Sequence, residues 1–159
     1  MRAIVGTILA GAGLRELREA ADAQTALRTL RDTPIDIALV DFQLAGMDGV
    51  EFTRLVRTAS NSPNTFLPII MITGHSERSR VMEARDAGVT EFVAKPLTAR
   101  ALLSRIEAVI FRPRPFIRAA DYFGPERRRR EDPAFKGPFR RTTDNDLVIS
   151  PARPAGRVG

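Results

Sequence analysis

The apolar positions along the chain follow two rhythms. Where they recur every three or four residues they predict helices, and where they run unbroken between turn signals they predict buried strands. Ile4, Val5, Ile8, Leu9 and Ala12 form one helical stripe over 2–12, closed by Gly11 and Gly13 and preceded by no capping side chain. Leu14 to Ala20 alternates enough for a short strand. Asp22 is a good N-cap for a helix whose stripe is Ala23, Ala26, Leu27 and Leu30, and Thr33-Pro34 ends it because the residue before proline resists helical geometry. Ile35 to Asp41 reads as a strand that is apolar on both faces. Asp48-Gly49 leads into a helix that turns Phe52, Leu55, Val56 and Ala59 inward, and Asn61 to Asn64 is a loop. Leu67 to Thr73 is a second buried strand. Gly74-His75-Ser76 then turns the chain, Ser76 caps a helix over 77–87, and Gly88 terminates it. Thr90 to Ala94 is a short strand ending in Lys95-Pro96, and Thr98 caps a last helix with Leu102, Leu103, Ile106, Val109 and Ile110 on one face. This α-β-α-β-α-β-α-β-α order with short connections predicts an α/β fold, a parallel sheet covered by helices on both faces.

The rhythm stops after residue 111, so the chain divides into a domain over 1–111 and a tail over 112–159. The tail has seven prolines and few aliphatics, and is expected to bury no core and to be extended or disordered. Charge divides at the same place. Residues 1–111 carry 13 basic and 13 acidic side chains, whereas 112–159 carry 12 and 6, so the formal net charge of +6 belongs to the tail. Its most basic stretch is Arg127 to Arg130, with Phe116, Tyr122, Phe123, Phe135 and Phe139 spread among the cations. A solvated tail is the plain expectation, a docking segment for a protein partner comes next, and contact with nucleic acid or an acidic membrane comes last. The chain has no cysteine and one histidine, His75, which excludes thiolate and multi-histidine metal sites. No apolar run approaches the ~18 residues of a membrane span, and the amphipathic start does not read as a signal peptide, so a cytoplasmic location is expected.

Chemistry concentrates at three strand ends: Asp41, Thr73 and Lys95. In a parallel sheet these ends share one edge, the edge where open α/β sheets bind ligands. A carboxylate, a hydroxyl and an ammonium converging there suit phosphoryl chemistry. The carboxylate is a nucleophile able to carry an acyl phosphate, the lysine neutralises phosphoryl oxygens, and the hydroxyl can donate to one of them. His75 reads as a loop residue near the mouth of this site, and Asp48 as a helix cap rather than a metal ligand.

The motifs that carry these residues are Leu-Val-Asp41 with Gly46-Met47-Asp48-Gly49, Ile-Thr73-Gly, and Phe92-Val-Ala-Lys95-Pro96. Together they make residues 1–111 resemble the receiver domain of a two-component response regulator, of the stand-alone chemotaxis kind. The resemblance implies a flavodoxin-like, doubly wound sheet of order 2-1-3-4-5. It implies Asp41 as phosphoacceptor, Thr73 as switch hydroxyl, Lys95 as phosphate contact, Phe92 as switch aromatic, and Mg²⁺ held by Asp41 and the Gln43 backbone carbonyl. A cis bond at Lys95-Pro96 also follows. The implied donor is a sensor histidine kinase or phosphotransfer protein, and the implied output is a downstream protein reading the face made by 77–111. The role is signalling and not that of an enzyme: an aspartyl-phosphate hydrolase of the haloacid dehalogenase type needs a second acid where Gln43 stands.

Two positions depart from the family pattern. Ala45 replaces a usual proline. More seriously, receivers open with a strand followed by an acidic pair that holds Mg²⁺, and here Met1 already falls within the first helix. The first strand of the 2-1-3-4-5 order is thus expected to be absent and Mg²⁺ affinity to fall. Either the chain continues upstream, which the uncapped helix and intact downstream motifs favour, or it is a shortened, phosphorylation-poor receiver. The alternative function is accordingly a pseudo-receiver that acts as an interaction module through its helical face and basic tail.

Overall fold

The computed structural model describes residues 1–74, 78–127 and 147–149, with Arg78 and 147–149 described by backbone alone. Its helices are α1 (Arg2–Gly11), α2 (Ala23–Asp32), α3 (Gly49–Thr58), α4 (Arg78–Asp86) and α5 (Ala99–Phe111). The strands are β1 (Ala38–Asp41), β2 (Gln43–Leu44), β3 (Met47–Asp48), β4 (Ile69–Thr73), β5 (Glu91–Ala94), β6 (Phe116–Arg118), β7 (Phe123–Pro125) and β8 (Leu147–Ile149). The expected caps form: Asp22 accepts from Thr25 N–H at 2.8 Å, Asp48 from Glu51 N–H at 2.8 Å and Thr98 from Ala101 N–H at 3.2 Å. The Ser76 cap and His75 lie outside the described residues.

The principal sheet is parallel, in the order β1-β4-β5. β4 is central and buried along its whole length, which is why its sequence is an unbroken apolar run. Its side chains alternate between two cores. Ile69 and Met71 join Val40, Val50, Phe52, Val56 and the stripe of α2, while Ile70 joins Val93 with Leu9 of α1 and Leu102, Ile106 and Val109 of α5. Helices therefore cover both faces, as the alternating pattern requires.

The expected strand over 14–20 does not form; those residues carry no ladder. A strand exists by virtue of a hydrogen-bonding partner. Among the described residues, the edge of β1 that faces away from β4 has no strand beside it, so 14–20 has nothing to pair with. The 35–41 strand is correspondingly shorter, 38–41.

The tail also departs from expectation over its first part. Strand β6 pairs antiparallel with β7 and β8, and the β6–β7 hairpin lies against the domain. Aromatic area replaces the missing aliphatics: Phe116 and Phe123 are buried, and Phe66 packs against both with ring centroids 5.1 and 5.2 Å apart. Gly88, the left-handed terminator of α4 at φ +100°, makes the close approach feasible, since a Cβ there would meet the Arg57 side chain at 3.0 Å and the Phe123 carbonyl at 3.2 Å. Of the arginine block, Arg127 is described. It bonds Asp86 at 2.8 Å and stacks over the Tyr122 ring at 4.1 Å, while Arg128 to Arg130 lie outside the described residues.

Tyr122 donates to the Pro125 carbonyl at 2.6 Å, and burial pushes its phenol above the usual value, against the pull of Arg127, Arg57 and Arg114. A group with a raised native pKa stabilises fully below its unfolded value, about 10, and loses that contribution as pH rises through the native one. Tyr122 is the chain's one tyrosine and there is no tryptophan, so tyrosinate absorbance reports this position alone. The expected titration midpoint lies above about 10 in the native chain and returns to about 10 in denaturant. A native midpoint at the unfolded value would mean that the hairpin is not docked.

Candidate functional site

Each chemical residue is delivered by the end of a strand. Beyond the ladder proper, Phe42 N–H donates to the Ile72 carbonyl at 2.9 Å and Lys95 N–H to the Thr73 carbonyl at 2.7 Å, so the three chain exits stay side by side. Asp41 leaves β1, Thr73 ends β4, and Lys95 follows β5. Two strand spacings, about 9.5 Å, separate the outer exits. The long lysine stem spans them: Nζ lies 2.8 Å from Asp41 Oδ2 and 3.1 Å from Oδ1, crossing over the end of β4. The pair is part-buried, with Asp41 25% and Lys95 32% exposed, so the carboxylate is both held and reachable.

Gln43 N–H donates to Asp41 Oδ1 at 3.1 Å, a second hold on the carboxylate. Behind it the backbone is tight. Gly49 N–H donates to the Phe42 carbonyl at 2.9 Å, and a Cβ on Gly49 would sit 2.6 Å from the Asp41 carbonyl. The glycine of the Asp48-Gly49 pair is thus required by close approach, and the adjoining Asp48 caps α3. Thr73 Oγ1 donates to the Gly74 carbonyl at 3.0 Å. The Lys95-Pro96 bond is cis, as expected. Phe92 does not reach the rim; it pairs with Met71 on β4 and packs, half-buried, against the core on the α3–α4 side.

Two contacts had no signal in the sequence. Arg80 of α4 lies over the Phe42 ring at 4.8 Å, which ties that helix to the residue beside Asp41. Arg57 is buried and donates to the Gly88 carbonyl through Nε at 3.1 Å and Nη2 at 2.9 Å, and to the Thr65 carbonyl through Nη1 at 2.8 Å. Desolvation lowers its pKa to about 10. The Arg80–Phe42 and Arg57–Gly88 contacts join residues more than about 30 apart in sequence, beyond the reach of any spacing rule.

For a divalent cation, this rim offers one carboxylate, Asp41, with the Gln43 backbone bonded to it. No cluster of three or more ligating His, Cys, Asp or Glu side chains occurs among the described residues. Mg²⁺ is commonly bound through one or two carboxylates with phosphate and water completing the shell, so the donor set fits the ion in a phosphate-dependent way.

Residues 1–107 match the family model described as response regulator receiver domain. The chain belongs to the receiver family. Among curated proteins, the receiver is 35% identical over 112 residues to the chemotaxis protein CheY of Pseudomonas aeruginosa, covering 70% of this chain and 89% of that one. It is 32% identical to CheY-3 of Vibrio cholerae, covering 70% and 85%. Among solved structures, the receiver superposes on Vibrio cholerae CheY4 with a TM-score of 0.62 at 30% identity, covering 68% of this chain and 88% of that one. It also matches the receiver domain of a Pseudomonas aeruginosa sensor histidine kinase at a TM-score of 0.61 and 25% identity, covering 69% and 88%; that structure holds a magnesium ion in its active-site cleft. The fold is flavodoxin-like, and the chain acts in phosphorelay signal transduction of the two-component kind. Among the described residues no helix is long and apolar enough to cross a membrane.

Proposed function

We propose that Asp41 accepts a phosphoryl group from the phosphohistidine of a sensor kinase or phosphotransfer protein. One observation carries this reading: Lys95 Nζ bonds both Asp41 oxygens at the ligand-binding edge of a parallel sheet. An Asp41 oxygen attacks phosphorus, the P–N bond breaks, its electron pair stays on the imidazole nitrogen, and an acyl phosphate results. Lys95 neutralises the phosphoryl oxygens, exchanging a carboxylate partner for a more charged one. Asp41 and the Gln43 carbonyl would hold Mg²⁺, which would supply further positive charge to the phosphoryl oxygens. With so few protein donors its affinity for the free protein is low.

Thr73 then exchanges its Gly74 partner for a phosphoryl oxygen. Phe92, packed directly behind β4, turns into the space released. The face built from 77–111 changes shape and a downstream protein in the cytoplasm reads it. This is a local charge event biasing a packed, two-position element.

The test is incubation with acetyl phosphate and Mg²⁺ followed by intact-mass measurement. The expected result is a gain of one phosphoryl group that is labile to hydroxylamine and absent from Asp41→Asn. No gain in mass would leave the interaction-module reading, in which the helical face and tail work without phosphate.

A further inference from the structure

The docked tail meets the domain where α4 ends, and α4 begins at the switch corner. Asp86 is the last residue of α4. A carboxylate there faces the negative end of the helix dipole and destabilises the last turn unless a cation offsets it. Arg85 is 3.6 Å away, but Arg127 of the tail makes the closer contact at 2.8 Å. Arg127 is also the better held, 16% exposed and stacked on Tyr122. Next to it, Val89 N–H closes the helix on the Ala84 carbonyl at 3.1 Å, Arg57 takes the Gly88 carbonyl, and the backbone at Gly124 approaches Gly88 so closely that a Cβ would lie 2.9 Å from Gly88 Cα. The C-terminal end of α4 is therefore fixed from the tail side.

The opposite end of α4 follows Thr73 and Gly74, whose hydroxyl and carbonyl are bonded to each other. Arg80, on its first turns, rests on Phe42 beside Asp41. One helix thus connects the tail dock to the phosphoryl rim. The docked tail and the Gly74-bonded threonine occur together in one arrangement.

We propose that the 112–127 segment is an autoinhibitory contact: docked on Asp86 and Gly88, it holds α4 where Thr73 stays on Gly74 and opposes the switch to a phosphoryl group. The inference rests on the proposed role of Asp41 and deepens it. Because coupling is reciprocal, phosphoryl binding at Asp41 loosens the tail by the factor by which the tail weakens phosphoryl binding.

The experiment uses the full chain with beryllofluoride and Mg²⁺ as the phosphoryl mimic. Affinity is measured for the unmodified chain, Arg127→Ala and Asp86→Asn, the last of which breaks the same ion pair and leaves the tail residues unaltered. Amide exchange of 114–127 and the fluorescence of Tyr122 are followed in parallel. Both variants are expected to bind the mimic about threefold to fivefold more tightly, the range open to a partly exposed ion pair. In the unmodified chain the mimic is expected to speed exchange in 114–127 and shift Tyr122 fluorescence, with β4 unaffected. Equal or weaker binding by the variants, or a tail unmoved by bound mimic, overturns the autoinhibitory role and leaves the assignment of Asp41 standing. No binding of the mimic to any of the three proteins overturns both.

Discussion

Replacing Lys95 with alanine is expected to slow phosphorylation from acetyl phosphate by about 100-fold while leaving the melting temperature nearly unchanged, the first consequence following from the site and the second from its exposure. Lys95 Nζ is bonded to both carboxylate oxygens of Asp41, where the proposed phosphoryl transfer would accumulate negative charge. Removing one preorganised electrostatic contact at a developing charge typically costs two to three orders of magnitude in rate. The same ion pair is a quarter to a third exposed, so its loss removes about 1 kcal/mol of stability or less. Lys95→Arg is a sharper probe. It keeps the charge, but the planar fork does not reproduce a compact ammonium that bridges two strand spacings, and it should recover only part of the rate. A variant whose rate matched the unmodified protein would show that Lys95 is a structural partner of Asp41 only.

The site was legible because its residues mark the ends of their own elements. Asp41 and Thr73 each stop an apolar run and Lys95 follows one, so hydrophobic pattern and parallel topology together place them on one edge. Phe92 was different in kind. It sits mid-strand, and composition or period alone would make it a core residue; the switch role proposed for it comes from the family resemblance. Local chemistry was equally readable: Asp22, Asp48 and Thr98 cap the helices they precede, and Gly88 ends α4.

What the pattern could not supply was pairing and distant contact. Leu14 to Ala20 alternates like a strand, yet alternation describes a surface and a ladder needs a neighbour. The tail misled for the opposite reason. Its proline content and lack of aliphatics argued against a core, but Phe116 and Phe123 bury enough ring surface against Phe66 to form one. That surface exists only after α3, the 64–66 loop and α4 have folded, so nothing local foretells it. The Asp48-Gly49 glycine is an intermediate case. It is visible as turn chemistry, while the reason for it, the Asp41 carbonyl 2.6 Å from where a Cβ would lie, is tertiary.

Arg57 supplies the second large effect, this time on stability. Its guanidinium gathers the end of α3, the Thr65 carbonyl and the Gly88 carbonyl, and lies over the Phe116 ring at 5.1 Å. Arg57→Met keeps much of the apolar stem and removes the fork. Two opposing terms decide the outcome. Burial of the cation is unfavourable, as its pKa near 10 records, and a drop of that size corresponds to about 3 kcal/mol relieved when the charge is deleted. Against this stand three hydrogen bonds from a charged donor, each worth about 1.5–3 kcal/mol, and two carbonyls left without those donors. The losses exceed the relief, and the expected net destabilisation is about 2–6 kcal/mol, seen as a lower denaturant midpoint. The hairpin should loosen with it, because the ring of Phe116 loses its cation and Gly88 its clamp. Amide exchange over 116–125 would then speed up. A variant of unchanged stability whose exchange over 116–125 did not change would show that Phe66, Phe116 and Phe123 hold the tail without help from the arginine. If Arg57→Met weakens the dock while phosphorylation at Asp41 becomes easier, stability and switching are being set by opposite ends of the same sheet.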